Sequence, residues 1–292
     1  MIFLFIKINW KKILMKITIL ANRDLASNIA LNYLVSDLAV HRLRIFLSDN
    51  VGSASTETPQ ALIDLKFFEQ QLFNEIVFPS IDMQSSYNTP EQFVPAQLLT
   101  FDGLAESTGN PIETLNDINE PSGLEKLKDT EPDLILSIRF GKILKEQAIS
   151  IPKFGVLNLH SGLLPEYQGV MATFWAMYNG ERNYGTTLHY IDSAAIDAGP
   201  IIERSPMALN LEETYLENVL KLYRSGCRSM VNAVGKVAKG KAPKSSTQTG
   251  VPSYYTFPDE TQLKTFTNAG LKLFDSQQAI ALAKSYQIQL LG

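Results

Sequence analysis

FGVLNLHSGLLPEYQG, residues 154–169, opens as a buried strand and closes as a polar turn. Its apolar residues run on without the alternation of a half-solvated strand. That pattern belongs to a strand covered on both faces, as in a parallel sheet. Asn158 and His160 flank one leucine, so on extended backbone both side chains point the same way. An amide and an imidazole therefore stand together at the strand's mouth.

Other short apolar runs repeat the pattern. KITILA (16–21), RLRIFLS (42–48), DLILSI (133–138) and GTTLHYI (185–191) read as further strands. Helical patterns lie between them. DLASNIALNYLVSDL (24–38) carries leucines and isoleucine at roughly helical spacing, and TPQALIDLKFFEQQLFNEI (58–76) opens with a Thr N-cap candidate followed by Pro. VMATFWAMYNG (170–180) stops at Asn-Gly. This alternation predicts an α/β domain with a doubly wound, Rossmann-like and mostly parallel sheet over residues 15–205.

Residues 80–121 are polar and read as long loops with a short helix or strand near one sheet edge. After 205 the character changes. Residues 211–240 read as one amphipathic helix, or two broken at Gly226, followed by a turn-rich linker and a small tail with one or two helices. The expected division is thus a 1–14 extension, a 15–205 catalytic domain and a 206–292 C-terminal helix and tail. The exposed-looking Tyr254, Tyr255 and Phe257 could join two copies into a homodimer or fold back onto the sheet.

Composition removes several function classes. The chain has 292 residues, a net charge of −4 and 45% hydrophobic residues, a globular balance that argues against a phosphate-backbone binder. One cysteine, Cys227, excludes an internal disulfide and reads as a small core residue; with three histidines in all, no metal is expected. The MIFLFI run is too short for a membrane span, and no small-residue cleavage site follows it. A cytoplasmic protein is expected, with Met15 a candidate start.

The first strand runs into ANRDLASN (21–28) with no glycine, so the tight phosphate-cradling turn of dinucleotide enzymes has no permissive residue. No P-loop and no G-x-S-x-G elbow occur either. Active sites of open α/β sheets lie outside the carboxyl ends of the strands. Asn158 and His160 leave one strand there, and Asp197 sits in the small-residue loop after GTTLHYI. An amide can donate to a developing oxyanion, an imidazole can donate or move a proton, and a carboxylate can orient it. This set lacks a nucleophile and suits direct acyl transfer to an amine or water. Ser161, adjacent to His160, should face the opposite side of the strand. The blander reading, a satisfied core histidine beside a turn-capping asparagine, stays open on spacing alone.

LNLHSGLLPEYQGVMATFWAMYNGERNYGTTLHYIDSAAIDAGPII (157–202) resembles the folate-dependent formyltransferase family, which includes glycinamide ribonucleotide, methionyl-tRNA, sugar-nucleotide and hydroxyornithine formyltransferases. Asn-x-His, Leu-Leu-Pro, Tyr-x-Gly, Asn-Gly-Glu, Gly-Thr-Thr-Leu-His and Asp-x-Gly-Pro-Ile occur in that order, and DLILSIRFGKIL (133–144) is similar to the family's upstream strand and loop. The resemblance implies Asn158, His160 and Asp197 as catalytic residues. It implies 10-formyltetrahydrofolate as formyl donor, its pterin held between Phe140, Lys142, Ile143 and Leu144 on one side and Ser193, Ala194, Ala195 and Ile196 on the other. Many members have Ser where this chain has Gly162, which should reshape the acceptor side.

Asn22 and Arg23 at the first strand's end, with Gln168, Gly169 and Thr173, are the acceptor-binding candidates; Asn22 and Arg23 could equally just cap the helix. Relatives often have Arg at the position of Gln168, so a less anionic acceptor is expected. The tail lacks the alternating strands of a tRNA-holding barrel. A small-molecule amine, such as an amino sugar nucleotide or a hydroxyornithine-like amino acid, is therefore the expected partner, with no membrane. Methionyl-tRNA is the alternative acceptor, and hydrolysis of formyltetrahydrofolate is an alternative reaction.

Overall fold

The computed structural model describes residues 14–49, 58–87, 93–94, 98–286 and 289–290. The expected N-terminal extension lies outside the described residues except for its last residue. The strands, in chain order, are β1 (Lys16–Asn22), β2 (Arg42–Ser48), β3 (Phe93–Val94), β4 (Ile112–Thr114), β5 (Leu134–Ile138), β6 (Val156–His160), β7 (Gln168–Gly169), β8 (Asn183–Ile191), β9 (Ile201–Ala208), β10 (Tyr254–Tyr255) and β11 (Gln289–Leu290). Seven form the main sheet in the order β4-β2-β1-β5-β6-β8-β9. The five from β4 to β6 are mutually parallel, while β8 and β9 are antiparallel to their neighbours. The doubly wound, mostly parallel expectation is met.

Antiparallel β8 departs from the parallel pattern expected of GTTLHYI. Ile191 lies opposite Val156, the first residue of β6, so β8 ends at the amino edge of its neighbour. The loop after it must turn back along the sheet's face to reach the tip of β6. Gly199 permits that return, because a Cβ there would stand 1.8 Å from the Tyr190 carbonyl oxygen.

Alternation along β6 sorts its side chains. Leu157 and Leu159 join the large core, whereas Val156 joins a smaller cluster with Leu20, Phe46 and Ile135. Asn158 and His160 share the Val156 face. The helix Tyr215–Val237 covers the other face, continuous through Gly226, whose missing Cβ would stand 2.9 Å from both Leu159 Cδ2 and Thr186 Oγ1. A capping box of Thr214 and Glu217 starts this helix at Tyr215 rather than at 211. The core therefore runs unbroken across residue 205: Tyr223 and Cys227 pack with β6 and β8 residues, and Phe266 and Tyr286 of the tail join them.

The polar stretch after 80 is more helical than expected. The helix from Gln60 continues through a π-wound segment, Phe67–Val77, into Phe78–Tyr87. Phe78 supplies the missing apolar anchor, edge-on to Phe73 and Phe101 and tilted against Tyr286. Pro59, not Thr58, holds the N-cap position of this helix, and no side chain caps it. Beyond it, Phe101–Thr108 is a helix capped by Thr100, and β4 forms the sheet edge. No helix among the described residues is long and apolar enough to cross a membrane.

Candidate active site

At the tip of β6 the three expected groups meet. His160 Nδ1 lies 3.3 Å from Asp197 Oδ2, with the two side chains only 8% and 10% exposed. Asp197 Oδ2 also accepts the Gly169 N–H at 3.0 Å. Burial pushes the Asp197 carboxyl up, but the neighbouring His160 charge, His189 and the Gly169 N–H outweigh it and hold it below the usual carboxylate range. Asp197 is thus an anion set beside two imidazoles.

The second imidazole is one the sequence reading passed over. His189 lies directly across from Asn158 in the β6–β8 register, so both occupy one face. Its Nε2 is 3.0 Å from Asn158 Nδ2 and 3.5 Å from Asp197 Oδ1. Its Nδ1 lies 2.8 Å from the Tyr190 carbonyl, an acceptor that requires a proton on Nδ1. Nε2 can then accept from the Asn158 amide as a lone pair, or donate to Asp197 once protonated. The two neighbours serve the two states. A His at a strand position paired with Asn158 is the signal that could have found it.

His160 is held on both sides as well. Its Nε2 lies 2.6 Å from the Tyr167 carbonyl oxygen, so Nε2 donates there while Nδ1 faces Asp197. Gly162 makes this contact feasible: a Cβ at that position would stand 2.6 Å from His160 Nε2, 2.7 Å from Ala172 Cβ and 2.8 Å from Tyr167 O. Replacing Gly162 with Ala should therefore displace the imidazole and lower stability by about 1–3 kcal/mol through overpacking. Turnover should fall with it. A thermal melt unchanged from wild type would refute this account of Gly162.

The expected acceptor residues are mostly committed elsewhere. Asn22 is fully buried, its amide donating to Asp24 and its carbonyl oxygen accepting from Ser48. Arg23 turns outward to Thr114 and Asp49. Gln168 Nε2 donates to the Asp197 carbonyl and Gly169 holds its carboxylate, so both position Asp197. Thr173 is buried in the Ala172–Tyr178 helix, its hydroxyl without a partner. Of the donor-loop residues, Leu144 is 3% exposed and packs in the smaller core, so it is no pterin wall. Phe140 packs against that core too, while Ile143 and Ile196 are open and Ser193, Ala194 and Ala195 form an exposed turn. Lys142 is half-buried beside them.

Arg139, not Arg23, is the cation that follows β5 into the site's edge. It donates to Asp24 at 3.0 Å, lies 3.9 Å from Glu69 and reaches Tyr223 OH at 3.5 Å, which in turn pairs with Ser161 Oγ. Ser161 thus faces Tyr223 rather than acting as a nucleophile. Burial raises Glu69 from 4.5 to about 7 against the pull of Arg139, so the folded state resists its ionisation and stability is lost as the pH rises from about 4.5 to about 7. Glu69→Gln should remove that loss. Unfolding free energies of the variant from denaturant titration should exceed wild type at pH 8 by an amount on the order of 1–3 kcal/mol and converge with it near pH 4. Equal free energies at pH 8 would contradict it.

Strain marks the same edge. Arg139, Met171 and Asp197 adopt positive φ of 55°, 54° and 51° without being glycine, a clustering typical of functional loops. By contrast, in a groove of about 670 Å³ at the amino edge, lined by Lys16, Arg42, Arg44 and Glu113 among others, Lys16 pairs with Glu131 and Arg44 with Glu113. Among the described residues no group of three or more His, Cys, Asp or Glu could hold a metal ion.

Residues 103–233 match the family described as formyl transferase. A methionyl-tRNA formyltransferase of Kosmotoga olearia is 30% identical over 138 residues, 47% of this chain and 44% of its own length. The chain thus spans less than half of the curated relatives it matches. Two solved structures share the fold. An N-formyltransferase from Helicobacter canadensis, solved with folinic acid and dTDP-3-aminofucose, has a TM-score of 0.52 at 17% identity, covering 83% of this chain and 71% of that one. Phosphoribosylglycinamide formyltransferase from Anaplasma phagocytophilum has a TM-score of 0.51 at 19% identity, covering 82% and 95%. Asn158, His160, His189 and Asp197 all lie inside the residues that are similar to the formyl transferase family.

Proposed function

We propose that this protein transfers a formyl group from 10-formyltetrahydrofolate to a primary amine of a small molecule. The observation that carries the reading is the 3.3 Å contact between His160 and a buried Asp197, completed by Asn158 on the same face. The open Ile143 and Ile196 side chains, on loops that flank the site, fit a flat apolar ring system such as a pterin. When bound, the donor supplies an activated formyl carbon: a C–N bond forms to the acceptor amine and the bond to the folate nitrogen breaks.

The chain's residues divide that work. Asn158 donates an amide N–H to the formyl oxygen as negative charge gathers there. His160, cationic when Nδ1 is protonated toward Asp197, places positive charge behind the same oxygen. Asp197 accepts the proton that the amine sheds, directly or through His189 Nε2, and its proton can return to the leaving folate nitrogen. No covalent enzyme adduct is needed.

The acceptor is read from charge. Arg139 is already paired with Asp24, and Asn22, Arg23 and Gln168 are engaged by other residues of the chain. An amino-acid-like amine of the hydroxyornithine type fits that edge better than a sugar nucleotide with its phosphates. The methionyl-tRNA relatives favour a second acceptor, methionyl-tRNA itself. The described residues after the long helix form two short strands and two helices.

Incubation with the formyl donor and each of these amines, read by mass for a gain of one formyl group, tests the proposal. Formylation of a small amine supports it. Formylation of methionyl-tRNA alone moves it to the second reading, and release of formate without any amine replaces it with hydrolysis. Silence throughout, from folded protein, refutes it.

A further inference from the structure

Residues 241–257 lie beyond the part that matches the family, yet they run across the site. Ser246 exchanges two main-chain hydrogen bonds with Ile201 at 2.8 and 2.9 Å, and Tyr254–Tyr255 pairs in parallel with Gln168–Gly169. Gly169 has φ 95°, and a Cβ there would meet the Tyr255 carbonyl oxygen at 2.1 Å, so this pairing needs glycine. Tyr255 also stacks on Tyr167, whose carbonyl holds His160.

Between these two anchors Gln248 reaches the Asp197 loop. Its Nε2 donates to the Asp197 carbonyl at 2.7 Å and to the Gly199 carbonyl at 2.9 Å. Its Oε1 is buried without a partner. An orphaned buried acceptor is costly, so the amide is retained for its donor end. Asp197 needs such help. Its φ of 51° is unfavourable for a residue with a Cβ, and persists only where the surroundings over-determine it.

We propose that Gln248 is a positioning residue for the transfer. By gripping the carbonyls of Asp197 and Gly199 it fixes the left-handed turn that aims the Asp197 carboxylate at His160 and His189. The proposal rests on the reading of Asp197 as part of the transfer site. It gives the segment after the long helix a direct part in that site, although it contributes no group to the reacting atoms.

Three histidines make the test clean, because His41 sits at the opposite edge beside Met15 and reports on nothing in the site. Their ring signals are recorded by NMR in wild type, Gln248→Met and the shorter amide Gln248→Asn. Loss of the grip should weaken the Asp197 contacts and displace the His160 and His189 ring resonances, leaving those of His41 unmoved. Turnover should fall roughly 10–100-fold, as expected for a misplaced carboxylate, with KM for the amine unchanged. Unaltered His160 and His189 resonances in a folded variant overturn the proposal. If Gln248→Met does not fold, the Gln248→Asn spectrum decides. The NMR readout needs no turnover, so histidine shifts in a protein whose wild type transfers no formyl group would refute the transferase reading and leave the positioning intact.

Discussion

Asn158→Ala is expected to lose roughly 10²–10³ in turnover while keeping its fold, because it removes one preorganised donor to a developing oxyanion. The side chain stands at the edge of the cleft rather than in the apolar core, and its neighbours Leu157 and Leu159 hold the strand without it. What the fold loses is the contact to His189 Nε2, a single hydrogen bond worth about 1 kcal/mol. Asn158→Asp should be no better. It keeps the shape, turns the donor into an acceptor, and adds a second carboxylate beside Asp197. Single-turnover rates with the formyl donor and the accepted amine measure the effect, with a thermal melt to verify folding. Near-full turnover in folded Asn158→Ala would falsify the assignment of the amide as the oxyanion donor.

Much of the site was legible because its parts repeat local rules. Asn158 and His160 are two residues apart on one strand, and the alternation of an extended chain is enough to place them on the same face. Asp197 lies between Ile196 and Ala198 in a loop of small residues, and the return of that loop depends on Gly199, where there is no room for a side chain. The groups that escaped depend on register or on distance along the chain. His189 meets Asn158 only because β6 and β8 pair antiparallel with those residues opposite, which an apolar run cannot announce. Gln248 lies 51 residues from Asp197, in a polar linker whose course is set by two short main-chain pairings.

The acceptor side shows the converse error. Asn22 and Arg23 have the chemistry of an anion site and the right position in sequence, but local bonds claim Asn22 and an outward turn removes Arg23. Arg139 was hidden in SIRFGKIL, where nothing in the pattern says that a residue with positive φ will turn a guanidinium inward to Asp24. The helix Phe78–Tyr87 was missed for a similar reason. Its polar sequence shows little amphipathic pattern, and its stability comes from Phe78 and Ile81 packing against partners distant in sequence, Phe101 and Tyr286 among them.

Asp197→Asn should have the other large effect, and on two observables. Asn tolerates the left-handed region, so the φ of 51° does not confound the result as Ala would. The amide cannot take the amine's proton, and turnover should drop by about 10²–10⁴, the range for a lost acid–base group. Stability should change as well, because His160 and His189 would face an uncharged neighbour; breaking a buried pair by removing one partner costs on the order of 3 kcal/mol. The pH dependence has a definite sign. Asp197 is held below its ordinary value of 3.8, so its contribution is fully present above that value and is lost as the pH falls through the lower folded-state value. Wild type should therefore be more stable than Asp197→Asn at pH 6, with the gap closing only in strong acid. Denaturant titrations across that span measure it. A variant as stable as wild type at pH 6 would mean that the carboxylate is not engaged with the two imidazoles, and the proton path assigned to it would have no anchor.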